Sequence, residues 1–228
     1  MIYNLKSDMN SAIILASGLG IRTKLKTPKQ FIKIDSENLI VDYSIKAFKN
    51  NKSIDEVILV VPEKWVEILS KKYKNIKIVI GGNSRSKSSF LGLNACSSET
   101  KHVLIHDAAR PFISSDIIVN IIQKLNDYDA VIPIYNCTDS IIEVKSKSSF
   151  NYLNRDTIKY IQTPQGFNYR LINAAYKNLN DNSINFSDDF SVMKNYKNNI
   201  HYTFIEGDSA NFKLTSKHDI YMAKLLLK

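Results

Sequence analysis

The run Ile14-Leu-Ala-Ser-Gly-Leu-Gly-Ile-Arg-Thr-Lys-Leu-Lys-Thr-Pro-Lys-Gln30 places Ala16, Ser17, Gly18 and Gly20 directly after the apolar stretch Ala12–Leu15. Four cations, Arg22, Lys24, Lys26 and Lys29, follow at once. Small residues let a ligand approach the backbone closely, so that N–H groups meet phosphate oxygens. The cations then face several phosphate charges together, which suits a nucleoside triphosphate better than a neutral ligand. Two better-known phosphate loops are excluded. A dinucleotide fingerprint needs a third glycine where this chain has Thr23, and a P-loop needs a Gly-Lys-Ser/Thr triplet that the chain lacks. Taken alone, the glycine pair also fits a plain turn between a strand and a helix.

Further blocks give the loop company. Gly81-Gly-Asn-Ser-Arg-Ser-Lys-Ser-Ser89 follows the strand-like Ile76–Ile80 and precedes a helical pattern. Val103-Leu-Ile-His-Asp-Ala-Ala-Arg-Pro111 sets Asp107 at the end of another apolar strand. Ile161-Gln-Thr-Pro-Gln-Gly-Phe167, Ser187-Asp-Asp189 and Asn211-Phe-Lys-Leu-Thr215 complete the series. From about Ser11 to Leu227, in this order, the blocks resemble the 2-C-methyl-D-erythritol 4-phosphate cytidylyltransferases. The ribitol 5-phosphate cytidylyltransferases share much of the same pattern.

The resemblance implies transfer of CMP from CTP to an alditol phosphate with release of pyrophosphate, a reaction in which protein groups mainly position and neutralise phosphates. In it, Arg22 and Lys29 match the family's cations along the triphosphate, and Lys213 matches the cation at the reacting phosphate. The Ala16, Ser17 and Gly18 backbone, with Gly20, Gly82, Asn83 and Ser88, would take the nucleotide. Buried hydrogen bonds there would select cytosine, because a wrong base leaves polar groups unpaired. Arg85 matches a cation of the family motif and acts on the nucleotide or braces its loop. Asp107 is the candidate Mg2+ ligand, since Mg2+ takes one or two carboxylates and completes its octahedron with phosphates and water. Arg110 would face the sugar phosphate or brace Asp107 as an ion pair. Ser187-Asp188-Asp189 reads first as a helix cap. Ser17, Ser140 and Ser187 depart from the residues usual in the family at these places. The swaps leave activity in place and make acceptor identity the open point. His106-Asp-Ala-Ala-Arg and Gln165-Gly-Phe lean toward methylerythritol phosphate over ribitol phosphate.

The elements that must hold these residues are legible as alternation. Strand-like runs at Ala12–Leu15, Val57–Val61, Ile76–Ile80, Val103–Ile105 and Ala130–Ile134 are separated by helical patterns near Leu39–Lys49, Glu63–Lys72, Ser86–Ala95 and Ser115–Asn126. Near-continuous apolar strands alternating with helices predict an α/β fold, a mostly parallel sheet with helices on both faces. With the resemblance, this is a Rossmann-like nucleotidyltransferase sheet in one domain over residues 1–228. Ligands on such sheets sit outside the carboxyl ends of strands, where the Gly18 loop, Gly82 and Asp107 all fall. From Asn136 to Tyr160 short apolar segments, Ser140–Val144 and Thr157–Ile161, flank a Lys/Ser-rich tract, which predicts a protruding β-arm. An isolated ribbon is marginal in water and needs support. In the family the equivalent arm clasps a second subunit, which makes a homodimer the expected partner state and carries Ser140 and Arg155 toward the neighbour's acceptor.

Composition narrows the classes further. The formal net charge is +9, from 31 Lys and Arg against 22 Asp and Glu, but the lysines are scattered and form no binding tail. That suits anionic small ligands and argues against nucleic acid as a partner; a non-catalytic basic nucleotide- or RNA-binding domain is the more distant reading. No apolar run approaches the ~18 residues that span a bilayer, and Met1–Asn10 has no apolar core, so no membrane partner and a cytoplasmic location are expected. The two cysteines, Cys96 and Cys137, form no Cys-x-x-Cys pair and read as reduced thiols. His106 precedes Asp107 on one strand, so the two side chains point to opposite faces, and His106 reads as a structural histidine.

Overall fold

The computed structural model describes residues 8–18, 27–179 and 186–227. Its centre is a run of parallel strands: β1 (Met9–Leu15), β2 (Glu56–Val61), β3 (Lys77–Ile80) and β4 (Thr100–Asp107). β1 pairs with β2 on one side and β4 on the other, in register Ile14↔Leu59 and Ile14↔His106. β5 (Ala130–Asn136), β8 (Lys159–Ile161), β9 (Gln165–Asn168) and β10 (Tyr202–Glu206) extend the sheet, and an arm formed by β6 (Ile141–Ser146) and β7 (Ser149–Leu153) lies between β5 and β8 in the chain. The order across the sheet is β10-β5-β9-β4-β1-β2-β3. β9 runs antiparallel to both β4 and β5, and β8 antiparallel to β5, so the mostly parallel sheet is mixed on this side.

Helices α1 (Ile40–Lys49), α2 (Glu63–Lys72), α3 (Arg85–Asn94), α4 (Ser115–Lys124), α5 (Tyr169–Lys177), α6 (Asp189–Tyr196) and α7 (Lys217–Leu226) follow in chain order. They cover both faces because the strands are apolar on both. Ile14 and Leu59 join Ile45, Phe48, Leu69 and Ile118 of α1, α2 and α4 on one face. Ile13 and Ile58 join Leu93, Ile172 and Met193 of α3, α5 and α6 on the other. Ile13 and Ile14 are adjacent and both fully buried, which only a strand with packing on two sides permits. Truncating either to Ala would cost about 2–5 kcal/mol through lost transfer energy and the cavity left behind. A smaller cluster, Ile34, Ile40, Leu214, Ile220 and Ala223, seats α7 beside the start of α1.

The arm departs from the sequence expectation in one respect. Its returning strand is Ser149–Leu153, while the Thr157–Ile161 segment supplies β8, which pairs antiparallel with Ile134–Asn136 of β5. β9 meets β5 only at Ala130 and Val131, so the same edge further along would expose unpaired N–H and C=O groups. β8 takes up that edge. The ribbon proper is therefore shorter than 136–160. One of its faces carries Ile142, Val144, Phe150 and Tyr152, cross-strand neighbours in two pairs and all largely exposed.

Candidate active site

Asp107 ends β4 and brings the site's charges together. Its Oδ1 accepts a hydrogen bond from Arg85 Nε at 3.2 Å, and its Oδ2 accepts one from Lys213 Nζ at 2.5 Å. Its backbone N–H donates to Thr163 Oγ1 at 3.0 Å, which fixes the strand end against the β8–β9 connection. Burial would raise the Asp107 pKa, but the positive charges of Arg85 and Lys213 outweigh it and hold the carboxyl well below the usual range. The group is a carboxylate at any working pH.

Arg85 reaches backward as well as forward. Its Nη2 lies 2.8 Å from Asp189 Oδ2, and Asp189 is fully buried at the first turn of α6. The Tyr176 hydroxyl of α5 donates to Asp189 Oδ1 at 2.6 Å. Burial lowers the Arg85 pKa, and Asp189 and Asp107 more than restore it, so the guanidinium stays charged. Arg85 thus links the end of β4 to the first turn of α6. In Ser187-Asp188-Asp189 the cap is Asp188, whose side chain accepts from Ser191 N–H. Two neighbouring acids cannot both cap one helix. The second enters the helix and turns inward, a signal that the doubled Asp carries in the sequence.

Two loops flank this carboxylate and are locked to each other. Ser17 Oγ donates to Ser88 Oγ at 2.7 Å; Ser88 Oγ donates to Ser84 O at 2.8 Å and accepts from Gly82 N–H at 3.1 Å. The Ser88 hydroxyl is thus engaged within the loops and shapes them from inside, while Asn83 stands exposed beside it. Gly81 is required by the close approach: a Cβ there would lie 2.3 Å from Ser17 Cβ. Gln30 is the residue that sequence reading passed over. Its amide donates to Ala16 O at 2.6 Å and to Gly18 O at 2.7 Å, pinning the small-residue loop from beneath. Its place directly after Lys29 was the available signal. Lys29 is itself buried, in a short helical turn that the same bonds hold under the loop. Gly20 and Arg22 lie outside the described residues.

Arg110 faces the same strand end but makes no ion pair with Asp107. Its Nη1 donates to Asn211 O at 2.7 Å and its Nη2 to Ile161 O at 3.4 Å, so it ties Lys213's loop to β8. The alternative of Arg110 as an ion-pair brace for Asp107 is therefore corrected: it braces carbonyls. His106 is fully interior, with Nε2 at 3.0 Å from Arg110 O and Nδ1 at 3.3 Å from Thr163 Oγ1. Burial pulls its pKa down to about 4, so the ring is neutral and structural, as its strand position suggested. Ser140 and Arg155 are exposed on the arm, and Arg155 Nη1 donates to Thr138 O at 3.1 Å. The fold does not bring these two to the carboxylate of their own chain through any hydrogen bond or ion pair.

Among the described residues no three His, Cys, Asp or Glu side chains gather as a metal cluster. A divalent cation here would rest on the single carboxylate Asp107 and otherwise on substrate oxygens, the ligand balance that Mg2+ accepts.

The sequence profile of the 2-C-methyl-D-erythritol 4-phosphate cytidylyltransferase (IspD) family matches residues 10–228. The chain belongs to this family. It is 37% identical to the enzyme of that name from Clostridium botulinum (strain Okra / Type B1), over 96% of this chain and 97% of the other. The Clostridium tetani enzyme is 38% identical over 98% and 92% of the two chains. The crystal structure of 4-diphosphocytidyl-2C-methyl-D-erythritol synthase from Anaerococcus prevotii superposes with a TM-score of 0.85 at 27% identity, covering 96% of each chain. Membership makes the protein a CTP-dependent nucleotidyltransferase of isoprenoid biosynthesis and removes the non-catalytic binding-domain reading.

Proposed function

We propose that the protein transfers CMP from CTP to 2-C-methyl-D-erythritol 4-phosphate at the end of β4. The observation that carries this is the ionised Asp107, shared between Arg85 and Lys213 and flanked by two interlocked loops. The acceptor's phosphate oxygen attacks the α-phosphorus, that P–O bond forms, and the bond to the pyrophosphate oxygen breaks. Lys29 and Lys213 neutralise charge on the phosphates as it shifts, and Arg22 extends this along the triphosphate. Lys213 is poised for exchange, because an incoming phosphate offers its ammonium more negative charge than Asp107 alone. Asp107 would hold Mg2+, which when bound screens the triphosphate and draws charge off the leaving group. Asn83 and the backbone of Ala16–Gly18 and Gly82 would read the cytosine edge, Ser88 serving them by holding the loop shape. Arg110 positions the Lys213 loop and faces the acceptor phosphate.

The arm completes the reading. Its exposed apolar face fits a homodimer in which Ser140 and Arg155 reach the neighbour's acceptor, a guanidinium holding phosphate by two parallel hydrogen bonds. No helix among the described residues is long and apolar enough to cross a membrane. Pyrophosphate release from purified protein tests the proposal. It should require a divalent cation, run far faster with CTP than with ATP, GTP or UTP, and favour methylerythritol phosphate over ribitol 5-phosphate. Equal rates with all four nucleotides would refute the cytosine pocket, and preference for ribitol 5-phosphate would reassign the acceptor.

A further inference from the structure

Around Asp107, two carboxylates, two cations and a tyrosine hydroxyl from five places in the chain form a connected set whose charges balance. Tyr176 of α5 donates to Asp189 of α6, Asp189 faces Arg85 of α3, Arg85 donates to Asp107 of β4, and Lys213 donates to the far oxygen of Asp107. A guanidinium is a rigid planar fork, so anchoring one edge fixes where the other edge points. With Nη2 held on Asp189, Arg85 presents only Nε to Asp107 and touches only Oδ1. A guanidinium freed from Asp189 would turn and take both carboxylate oxygens in the bidentate geometry that such pairs favour. That would expel Lys213 and close Oδ2 to any other ligand.

We infer that Asp189, acting through Arg85, is a positioning residue of the transfer reaction: it keeps Arg85 on Oδ1 of Asp107, so that Oδ2 remains free to exchange Lys213 for the divalent cation. This rests on the reading of Asp107 as the cation's carboxylate. Asp189 touches no substrate and lies fully inside the protein, so its effect must pass through Arg85. The same geometry sets the charge of the site, since neutralising Asp189 leaves one guanidinium charge uncompensated.

The test is Asp189→Asn. The Mg2+ concentration for half-maximal rate should rise roughly 10–100-fold, the cost typical of removing an outer partner of a metal ligand. CTP binding measured calorimetrically in EDTA should hold or tighten, because the site gains positive charge. A merely structural defect would weaken both. Tyr176→Phe, which keeps the Asp189 charge, should raise the Mg2+ requirement by a smaller factor. In an Arg85→Met background, Asp189→Asn should leave the Mg2+ requirement where Arg85→Met put it and raise the melting temperature, since it removes a buried carboxylate that has lost its counter-charge. That pair also decides the matter if Asp189→Asn alone does not fold. An unchanged Mg2+ requirement in Asp189→Asn, or a further rise in the double variant, overturns the inference. Asp107→Ala separates the two layers. If it retains normal Mg2+ dependence, the reading of Asp107 fails and this inference with it. If it loses that dependence while Asp189→Asn is unaffected, only the positioning role falls.

Discussion

The end of β4 and the arm treat charge and apolar surface in opposite ways. At Asp107 the carboxylate is paired with Arg85 and Lys213, Arg85 in turn with Asp189, and the loops beside it are bonded to one another. On the arm, Ile142, Val144, Phe150 and Tyr152 share one exposed ribbon face that no described residue covers. The first region is finished by folding. The second carries apolar area that a ribbon cannot bury against itself. The contrast teaches where to expect each kind of dependence: the carboxylate on single side chains of this chain, the acceptor side on a second copy.

The largest effect that sharpens this contrast should come from Asp107→Ala, which should abolish divalent-dependent turnover and resist rescue by added Mg2+. Lys213→Ala and Lys29→Ala should each lower kcat by about 10²–10³, the loss expected for one preorganised contact to a transition state. Steady-state pyrophosphate release measures all three. Near-normal turnover in Lys213→Ala would mean that its bond to Asp107 is purely structural.

Much of the first region was legible because its parts sit at strand ends in sequence order. Apolar runs located β1, β2, β4 and β5, and small residues located the loops. What the sequence hid was connection across space. Gln30 reads as a neutral neighbour of Lys29 until its amide is seen on two carbonyls of a loop twelve or more residues away. Asp189 reads as a helix cap until its partner Arg85, on a different helix, is in view. β8 was hidden for a related reason: Thr157–Ile161 is as apolar as a ribbon strand, and only the open edge of β5 decides where it pairs. Local pattern fixes an element, and long-range backbone pairing fixes its address.

Breaking the arm's side of the contrast needs two variants mixed. If Arg155 acts on the neighbour's site, chains carrying Lys29→Ala and chains carrying Arg155→Ala should complement. Each mixed dimer would hold one intact and one doubly damaged site, so random re-pairing should restore about a quarter of wild-type activity. No recovery would place Arg155 in its own chain's site. If the arm's apolar face pairs two copies, Val144→Asp with Phe150→Asp should give a monomer in sedimentation where the wild type is a dimer, and a dimer that persists would assign that face another role. A smaller effect should follow Gln30→Ala. Two loop carbonyls lose their donor, a cost of about 1–3 kcal/mol if they stay dry, and the KM for CTP should rise accordingly while Mg2+ dependence stays normal.

A last effect, on stability and not on turnover, distinguishes the two regions by pH. His106 lies on the opposite face of β4 from Asp107, inside the core, and burial depresses its pKa to about 4. A histidine whose folded pKa lies below its unfolded value contributes stability that is complete above about pH 6.5. That stability is lost as pH falls toward 4, because the unfolded chain takes the proton first. Asp107, held well below the usual carboxylate range, acts in the same direction, but only from about pH 4 downward. Between pH 7 and 4.5 the loss should therefore follow chiefly His106, on the order of 2–3 kcal/mol in urea unfolding, with His102, whose pKa burial also lowers, adding in the same direction. In that window Asp107→Asn should leave the slope of stability against pH unchanged, whereas His106→Gln should flatten it. The arm, with no buried titratable group of this kind, should add nothing to either slope. If His106→Gln keeps the wild-type slope, the acid sensitivity belongs to another group, and the neutral interior histidine is not what ties the strand end to the Arg110 turn.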